Sequence, residues 1–519
     1  MIHRIGDIEI DTHKMAVRKS GVPIRLTARP YALLEYLIAN RERIVTKEEI
    51  FDAVWDGRVV TDAAISTAVR DIRKAMGESS AKSGLIRTVY GRGFRFVVPD
   101  LREALATSGG NAQPLDAAQP STVAVLPFQV HSSDPQIEHL ANGFADDVIS
   151  KVSKFGLIRM LSRNASFLLA DARLSFSELS KQLGAGYILE GNVRQSGAKI
   201  RLSVQLVDAR DEMHVWASSY DIAPYELNDS QDRTTTSVAT SAITMIYETE
   251  AKHARLKEFG DLSPWECYCC AYESLCTMNS RLHSDAVTML TRALEMEPKF
   301  AAAHATLAYV LCMSRQHEHH NAGPPVNGRM TQSRQRAREL AQEAISIEPR
   351  LPFAWTALAR CHAGMGEMNF ALTACEKSLD LNPLLGWTHA LKGMILFQLN
   401  RAVEALSAFD CALDTSPQDS LRLTITGGKS CALLLLNRFE EAIELSRMAQ
   451  MLPNAGLLAF MGEIACLGHL GRLDEAADAL KRLKVAEPDA SILLYENDFP
   501  MPDPDARRVI FGGLQAAGA

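Results

Sequence analysis

LIRTVYGRGFRFV, residues 85–97, consists of two β-rich runs pinched at Gly91-Arg92-Gly93, with Arg87, Arg92 and Arg95 spread along it. The pattern predicts a hairpin. Alone it fits an ordinary surface turn as well as a basic finger that lies on a polyanion, so the flanking sequence decides.

Upstream, residues 4–26 alternate apolar and polar (Ile8, Ile10; Met15, Val17; Ile24, Leu26) around turn signals at 11–13 and 19–21, which predicts a meander of short strands. Thr27 offers a cap to a helix with the stripe Tyr31, Leu34, Leu37 and Ile38. Thr46-Lys47-Glu48-Glu49 is a capping box that opens a second helix carrying Ile50, Phe51, Val54 and Trp55. A third helix follows Asp62. Its Ile65, Val69, Ile72 and Met76 recur at helical spacing toward a core, which turns Ala63, Ser66, Thr67, Arg70, Arg73 and Lys74 outward as a small and basic face. A helix of this kind fits the major groove of duplex DNA, where arginine reaches guanine edges, while a neighbouring hairpin reaches the backbone or the minor groove.

The run from TARPYALLEYL through TKEEIFDAVW and VVTDAAISTAVRDIRKAMG to IRTVYGRGFRFV resembles the OmpR/PhoB type of winged helix-turn-helix DNA-binding domain, over residues 1–100. That resemblance implies that the third helix is the recognition helix, with Arg70 and Arg73 at positions used for bases and phosphates and Thr67 beside them. It implies phosphate or minor-groove contacts for Thr88, Tyr90 and Arg92 of the wing, and backbone contacts for Thr27 and Trp55. The implied partners are double-stranded DNA and RNA polymerase, with the protein a homodimer on DNA. Two departures bear on the transfer: Ala63 and Ala68 stand where relatives often carry long polar or basic side chains, and Asp71 sets a carboxylate next to Arg70.

Residues 101–120, rich in Ala, Gln, Gly, Ser and Pro without a period, read as a flexible linker. A buried-strand run, Thr122 to Phe128, then opens an alternation of strands and helices that ends in the meander YILEGNVRQSG, KIRLSVQLVDA and HVWASSYD. Residues 121–222 resemble the TolB amino-terminal-like α/β domain, which supplies no catalytic set and implies a structural or sensory coupling module. A helical connector is expected at 223–263.

Beyond it the chain repeats. Ala286, Ala337, Ala371, Ala405 and Ala476 are each followed twelve residues on by a proline, and Ala442 by Pro453 at eleven; Pro349, Pro383 and Pro417 lie 34 residues apart. This is the tetratricopeptide period, in which a small residue lets the second helix of each unit pack closely on the first. About six units fit between 264 and 490, leaving a C-terminal tail at 491–519. Such a solenoid offers a concave groove to a peptide or helix of another protein.

At 519 residues the chain divides into several domains, a multidomain α+β protein with an N-terminal winged helix-turn-helix, a central α/β domain and a C-terminal all-α tetratricopeptide solenoid. Residues 1–100 hold 17 Lys+Arg against 13 Asp+Glu, within a chain of formal net charge −7, so a mildly basic head sits on an acidic body. No apolar run approaches the roughly 18 residues of a membrane span, and the start alternates like a strand instead of showing a secretion signal; a soluble, cytoplasmic protein with no membrane partner is expected. All ten cysteines fall between Cys267 and Cys466 without disulfide spacing. His317, His319 and His320 sit in a loop, and Cys267, Cys269 and Cys270 diverge around a helix, so neither set predicts a metal site. No phosphate loop, zinc-protease helix, nucleophile elbow or dinucleotide fingerprint is present. No catalytic residue and no cofactor are therefore expected. The architecture resembles that of HilA-like bacterial transcriptional regulators; the alternative is a tetratricopeptide scaffold whose winged helix binds protein.

Overall fold

The computed structural model describes residues 2–5, 8–11, 16–19, 22–24, 26–40, 45–55, 62–76, 86–89, 93–96, 121–131, 135–168, 175–196, 199–222, 227–276, 280–313, 327–415, 419–453, 455–488, 490 and 501–518. The linker at 101–120, the wing tip at 90–92 and the histidine-bearing loop lie outside them. Two compact units divide between residues 114 and 115, with Phe167–Asp171 grouping with the first.

In the first unit, β1 (Ile2–Ile5), β2 (Ile8–Asp11), β3 (Ala16–Lys19) and β4 (Val22–Ile24) pair in sequence order as an antiparallel meander. Three helices follow: α1 (Ala28–Ala39), α2 (Lys47–Trp55) and α3 (Asp62–Met76). The capping box at the head of α2 forms as the sequence predicts: the Thr46 amide donates to Glu49 Oε2 at 2.8 Å and the Glu49 amide to Thr46 Oγ1 at 3.2 Å. The hairpin β5 (Ile86–Val89) and β6 (Gly93–Phe96) closes the unit. One core holds it together, formed by Leu33, Leu34 and Leu37 of α1, Ile50 and Val54 of α2, Ile65, Ala68, Val69 and Ile72 of α3, and Ile86 and Phe94 of the hairpin.

The second unit begins with a mixed sheet in the order β12-β11-β10-β7-β9, formed by β7 (Thr122–Val125), β8 (Gln129–His131), β9 (Arg159–Met160), β10 (Tyr187–Ser196), β11 (Lys199–Asp208) and β12 (Met213–Ile222), with β8 also pairing to β10. The strands β7, β8 and β9 run parallel to their partners and the long β10–β11–β12 meander is antiparallel. Alternation along β11 buries Leu202, Val204 and Leu206. Arg201 and Ser203 face the other way and bond across the ladder to Asp221 and Ser219. The helices α4 (Pro135–Ser153), α5 (Arg163–Leu168) and α6 (Phe176–Leu183) lie between the strands in sequence.

A 28-residue helix, α7 (Leu227–Ala254), packs on α4 and β12 and carries the chain into the repeats. Its Glu250 accepts from Arg210 at 2.7 Å and from the Tyr187 hydroxyl at 2.6 Å, while Arg210 also holds the buried Asp208. Burial, with the Glu250 carboxylate beside it, pushes the Tyr187 phenol far above its ordinary range, so it stays protonated and donates.

Among the described residues six helix pairs follow: α8 (Pro264–Cys276) with α9 (Ser280–Met296), α10 (Ala301–Met313) with α11 (Asn327–Ile347), α12 (Pro352–Gly364) with α13 (Met368–Leu381), α14 (Gly386–Gln398) with α15 (Ala402–Thr415), α16 (Asp419–Leu435) with α17 (Phe439–Gln450), and α18 (Leu457–His469) with α19 (Leu473–Ala486). The periodic alanines, Ala286, Ala337, Ala371, Ala405, Ala442 and Ala476, sit in the six second helices, and every one is 0% exposed. A larger side chain there would push the pair apart, which is the physical content of the sequence period. A last helix, α20 (Pro504–Ala516), stands within the stretch for which the sequence pattern offered no element.

Candidate nucleic-acid interface

The face of α3 follows from its core. Ile65, Ala68, Val69 and Ile72 are sunk in the apolar cluster at 4% exposure or less, which leaves Thr67, Arg70 and Asp71 outside. Ala68 corrects the sequence reading. It stands in the core stripe, at a position where a long polar side chain has no room, so its being alanine takes nothing from the outer face.

Arg70 extends into solvent, 73% exposed, with Asp71 Oδ1 at 3.9 Å from its Nε, the outer limit of an ion pair. At that exposure the contact holds the guanidinium weakly. Arg73 is placed differently: half-buried, it donates from Nη2 to the Ile86 carbonyl at 2.6 Å and so ties α3 to the first strand of the hairpin. Ala63, Ser66 and Lys74 lie on α3 at the positions the helix gives them.

The hairpin is fastened to the second helix as well. Val45, just before α2, exchanges both backbone hydrogen bonds with Phe94, at 2.8 and 2.9 Å. Arg73 thereby ties the hairpin to α3, and Val45 ties it to the approach to α2. Thr88 sits opposite Phe94 in the ladder, while Tyr90 and Arg92 fall outside the described residues. Thr27 is exposed ahead of α1, and its carbonyl accepts from the Tyr31 amide at 3.1 Å. Trp55 is buried, its ring edge-on to Phe51 at 6.5 Å. It therefore offers a phosphate at most the rim of the indole.

Three residues escaped the sequence reading as site candidates. The ladder sets Arg87 opposite Arg95, and the clue was their equal spacing about Gly91. Arg29, which donates to the Val54 carbonyl and joins α1 to α2, was missed because its partner lies 25 residues away.

Elsewhere, Asp208, Asp211 and His253 bring ligand atoms within 4.8 Å of one another, but Arg210 already binds both oxygens of Asp208. A cavity of about 60 Å³ lies between α7, α8 and the turn at 384–387, lined by Tyr247, Tyr268, Tyr272, Phe353 and Trp387. That is less than half of the roughly 150 Å³ that admits a benzene. Among the described residues no helix is long and apolar enough to cross a membrane.

Known proteins bear on both units. Residues 21–96 match the family model described as "Transcriptional regulatory protein, C terminal", and residues 119–237 match "HilA/YgeH-like transcriptional regulator, second domain". Putative adenylate cyclase 3 of Rhizobium meliloti is 30% identical over 235 residues, 45% of this chain and 39% of that protein. Transcriptional regulator HilA of Salmonella typhi is 24% identical over 199 residues, 36% of this chain and 32% of that protein. The chain thus spans about a third to two fifths of these relatives. The Klebsiella pneumoniae RstA DNA-binding domain, solved with the RstA box, aligns with 18% of this chain and 96% of its own at 19% identity and a TM-score of 0.18. The chain carries an OmpR/PhoB-type winged-helix domain, followed by a HilA-like second domain and a tetratricopeptide-like array of helix pairs.

Proposed function

We propose that the protein is a cytoplasmic, DNA-binding transcriptional regulator that reads duplex DNA through α3 and grips its backbone with the wing, and that it has no enzymatic activity of its own. The observation that carries this is the split between the arginines of α3. Arg73 fixes the helix to the wing, and Arg70 is left in solvent on the helix's outer face, where a base edge would meet it. Thr67, Ser66, Ala63 and Lys74 complete that face, and Thr88, Tyr90, Arg92 and Thr27 supply positioning contacts, with the Trp55 rim behind them. Arg87 and Arg95 join them. They add two positive charges to the hairpin, which a phosphate backbone would draw on.

In this reading residues 1–100 are the head, 101–120 a linker, 121–222 the central domain, 223–263 its connector and 264–490 the repeats. The body gathers two heads on adjacent half-sites, as a homodimer on DNA, and offers protein partners a helical surface; RNA polymerase is the partner that transcription requires. The modest excess of four positive charges on a single head, 17 Lys+Arg against 13 Asp+Glu, supports the need for two, since one head has few phosphate partners. A genomic binding map tests the reading. Discrete peaks upstream of genes are the expected result, and a flat map with proteins recovered in pull-downs would make the chain a scaffold instead.

A further inference from the structure

In a continuing stack each new first helix packs on both helices of the pair before it, and α10, α12, α14, α16 and α18 all do. The last helix breaks the rule. α20 packs on α18 and, beyond it, on α16, both first helices, with no comparable packing on α19. It lies across the face that first helices present and does not extend the array.

α20 is amphipathic. Ala506, Ile510, Phe511, Gly513 and Leu514 are buried, and Asp505, Arg507, Arg508 and Gln515 are exposed. Its seat is made by glycine. A methyl group on Gly468 of α18 would fall 2.0 Å from the Gly513 carbonyl oxygen, and one on Gly513 would fall 2.6 Å from that of Ala465. Only a backbone-to-backbone approach fits there. Polar ties reach it from the array as well: His469 Nε2 donates to the Val509 carbonyl at 2.7 Å, and Asn400 Nδ2 to Asp503 Oδ1 at 3.2 Å. Asp503 and Arg508 otherwise serve the helix itself, as its cap and as the partner of Asp505. The stack below has its own lock, because Arg447 of α17 and Arg482 of α19 both bind the fully buried Glu463 of α18.

We propose that α20 is an exchangeable, autoinhibitory occupant of a helix-binding face built by α16 and α18. The partner that displaces it is an amphipathic helix of another protein, with glycine at the place of Gly513 and apolar anchors at those of Ile510, Phe511 and Leu514. This deepens the protein-binding half of the proposed function and is independent of DNA binding. Specificity follows from Gly468, since a helix with a bulky residue at the crossing point cannot approach.

The test uses the full chain, with a fluorescent peptide of residues 501–518 as the probe. Phe511→Asp should release α20, and the peptide should then bind saturably and at least tenfold more tightly than it binds the unaltered chain. Gly468→Leu added to that variant should abolish binding, because the atoms nearest a side chain at 468 are those of Gly513 and of Ala517 just past the end of α20. Equal binding to both chains, or none to the variant, overturns the proposal. Hydrogen exchange on the unaltered chain stands apart from the variant's folding. α20 amides should exchange while α16 and α18 stay protected, and exchange of all three together would make α20 a fixed part of the core. A domain-swapped dimer in sedimentation, with α20 supplied by a second copy, would also overturn it.

Discussion

Arg70 of α3 and Arg447 of α17 both stand on the outer side of an amphipathic helix, yet they are used in opposite ways. The first is 73% exposed with its nearest carboxylate at 3.9 Å, and the second binds the fully buried Glu463 at 2.7 Å. The same contrast runs through the two units. In the repeats, Arg447 of α17 and Arg482 of α19 bind Glu463 of α18 and Arg472 reaches Glu440 of α17, which fixes helix against helix, while Arg401, Arg438 and again Arg472 pair three residues on with Glu404, Glu441 and Glu475 at the heads of their own helices. In the head, Arg70 keeps its charge for something outside. A cation with a buried counter-ion is structural, and one that the fold leaves in water is available to a polyanion.

Substitution separates the two kinds of arginine. The largest effect belongs to the repeats. Removing both Arg447 and Arg482 as alanines leaves Glu463 buried with Gln450 as its side-chain partner, and should cost about 3–5 kcal/mol of stability in chemical unfolding. DNA affinity at a concentration where the protein stays folded should not change. Arg70→Ala is the reverse case. Binding to the preferred site should fall by about 1–3 kcal/mol with preference blurred at that position, and the melting temperature should hold. Arg73→Ala should do some of both, because the bond to the Ile86 carbonyl is lost: about 1–2 kcal/mol in the stability of the head, with weaker binding in consequence. A melt unchanged by that substitution would free Arg73 for the role Arg70 has here. The smallest effect is expected at the wing, where Arg92→Ala should weaken cognate and random duplexes alike and lower the salt slope by about one. Loss at the cognate site alone would make Arg92 a base reader.

What the sequence made legible was what short-range chemistry decides. The capping box at Thr46 and Glu49 is a four-residue pattern with a local cause, and the alanine period announces close helix contact whatever the wider fold. Ala68 was assigned to neither face although 65, 68, 69 and 72 are a core stripe by spacing, because alanine carries too little apolar weight to declare a side. Arg73 and Arg29 were opaque for another reason: each is bound to a backbone carbonyl from a separate element, and a carbonyl leaves no mark on residue type. α20 was missed since its docking face depends on Gly468 and Gly513, and two glycines 45 residues apart signal nothing until the backbones meet.

The central claim is that the outer face of α3 reads DNA, and a titration of the full chain against the duplex recovered from the strongest genomic peak tests it most directly. The measurement is made at one salt concentration, for the unaltered chain and for Arg70→Ala, with a scrambled duplex of equal length beside it. The account predicts a specific preference of at least a hundredfold for the unaltered chain, reduced tenfold or more by the substitution, with the affinity for scrambled DNA nearly unchanged. Equal affinities of the two chains for the recovered duplex would contradict it.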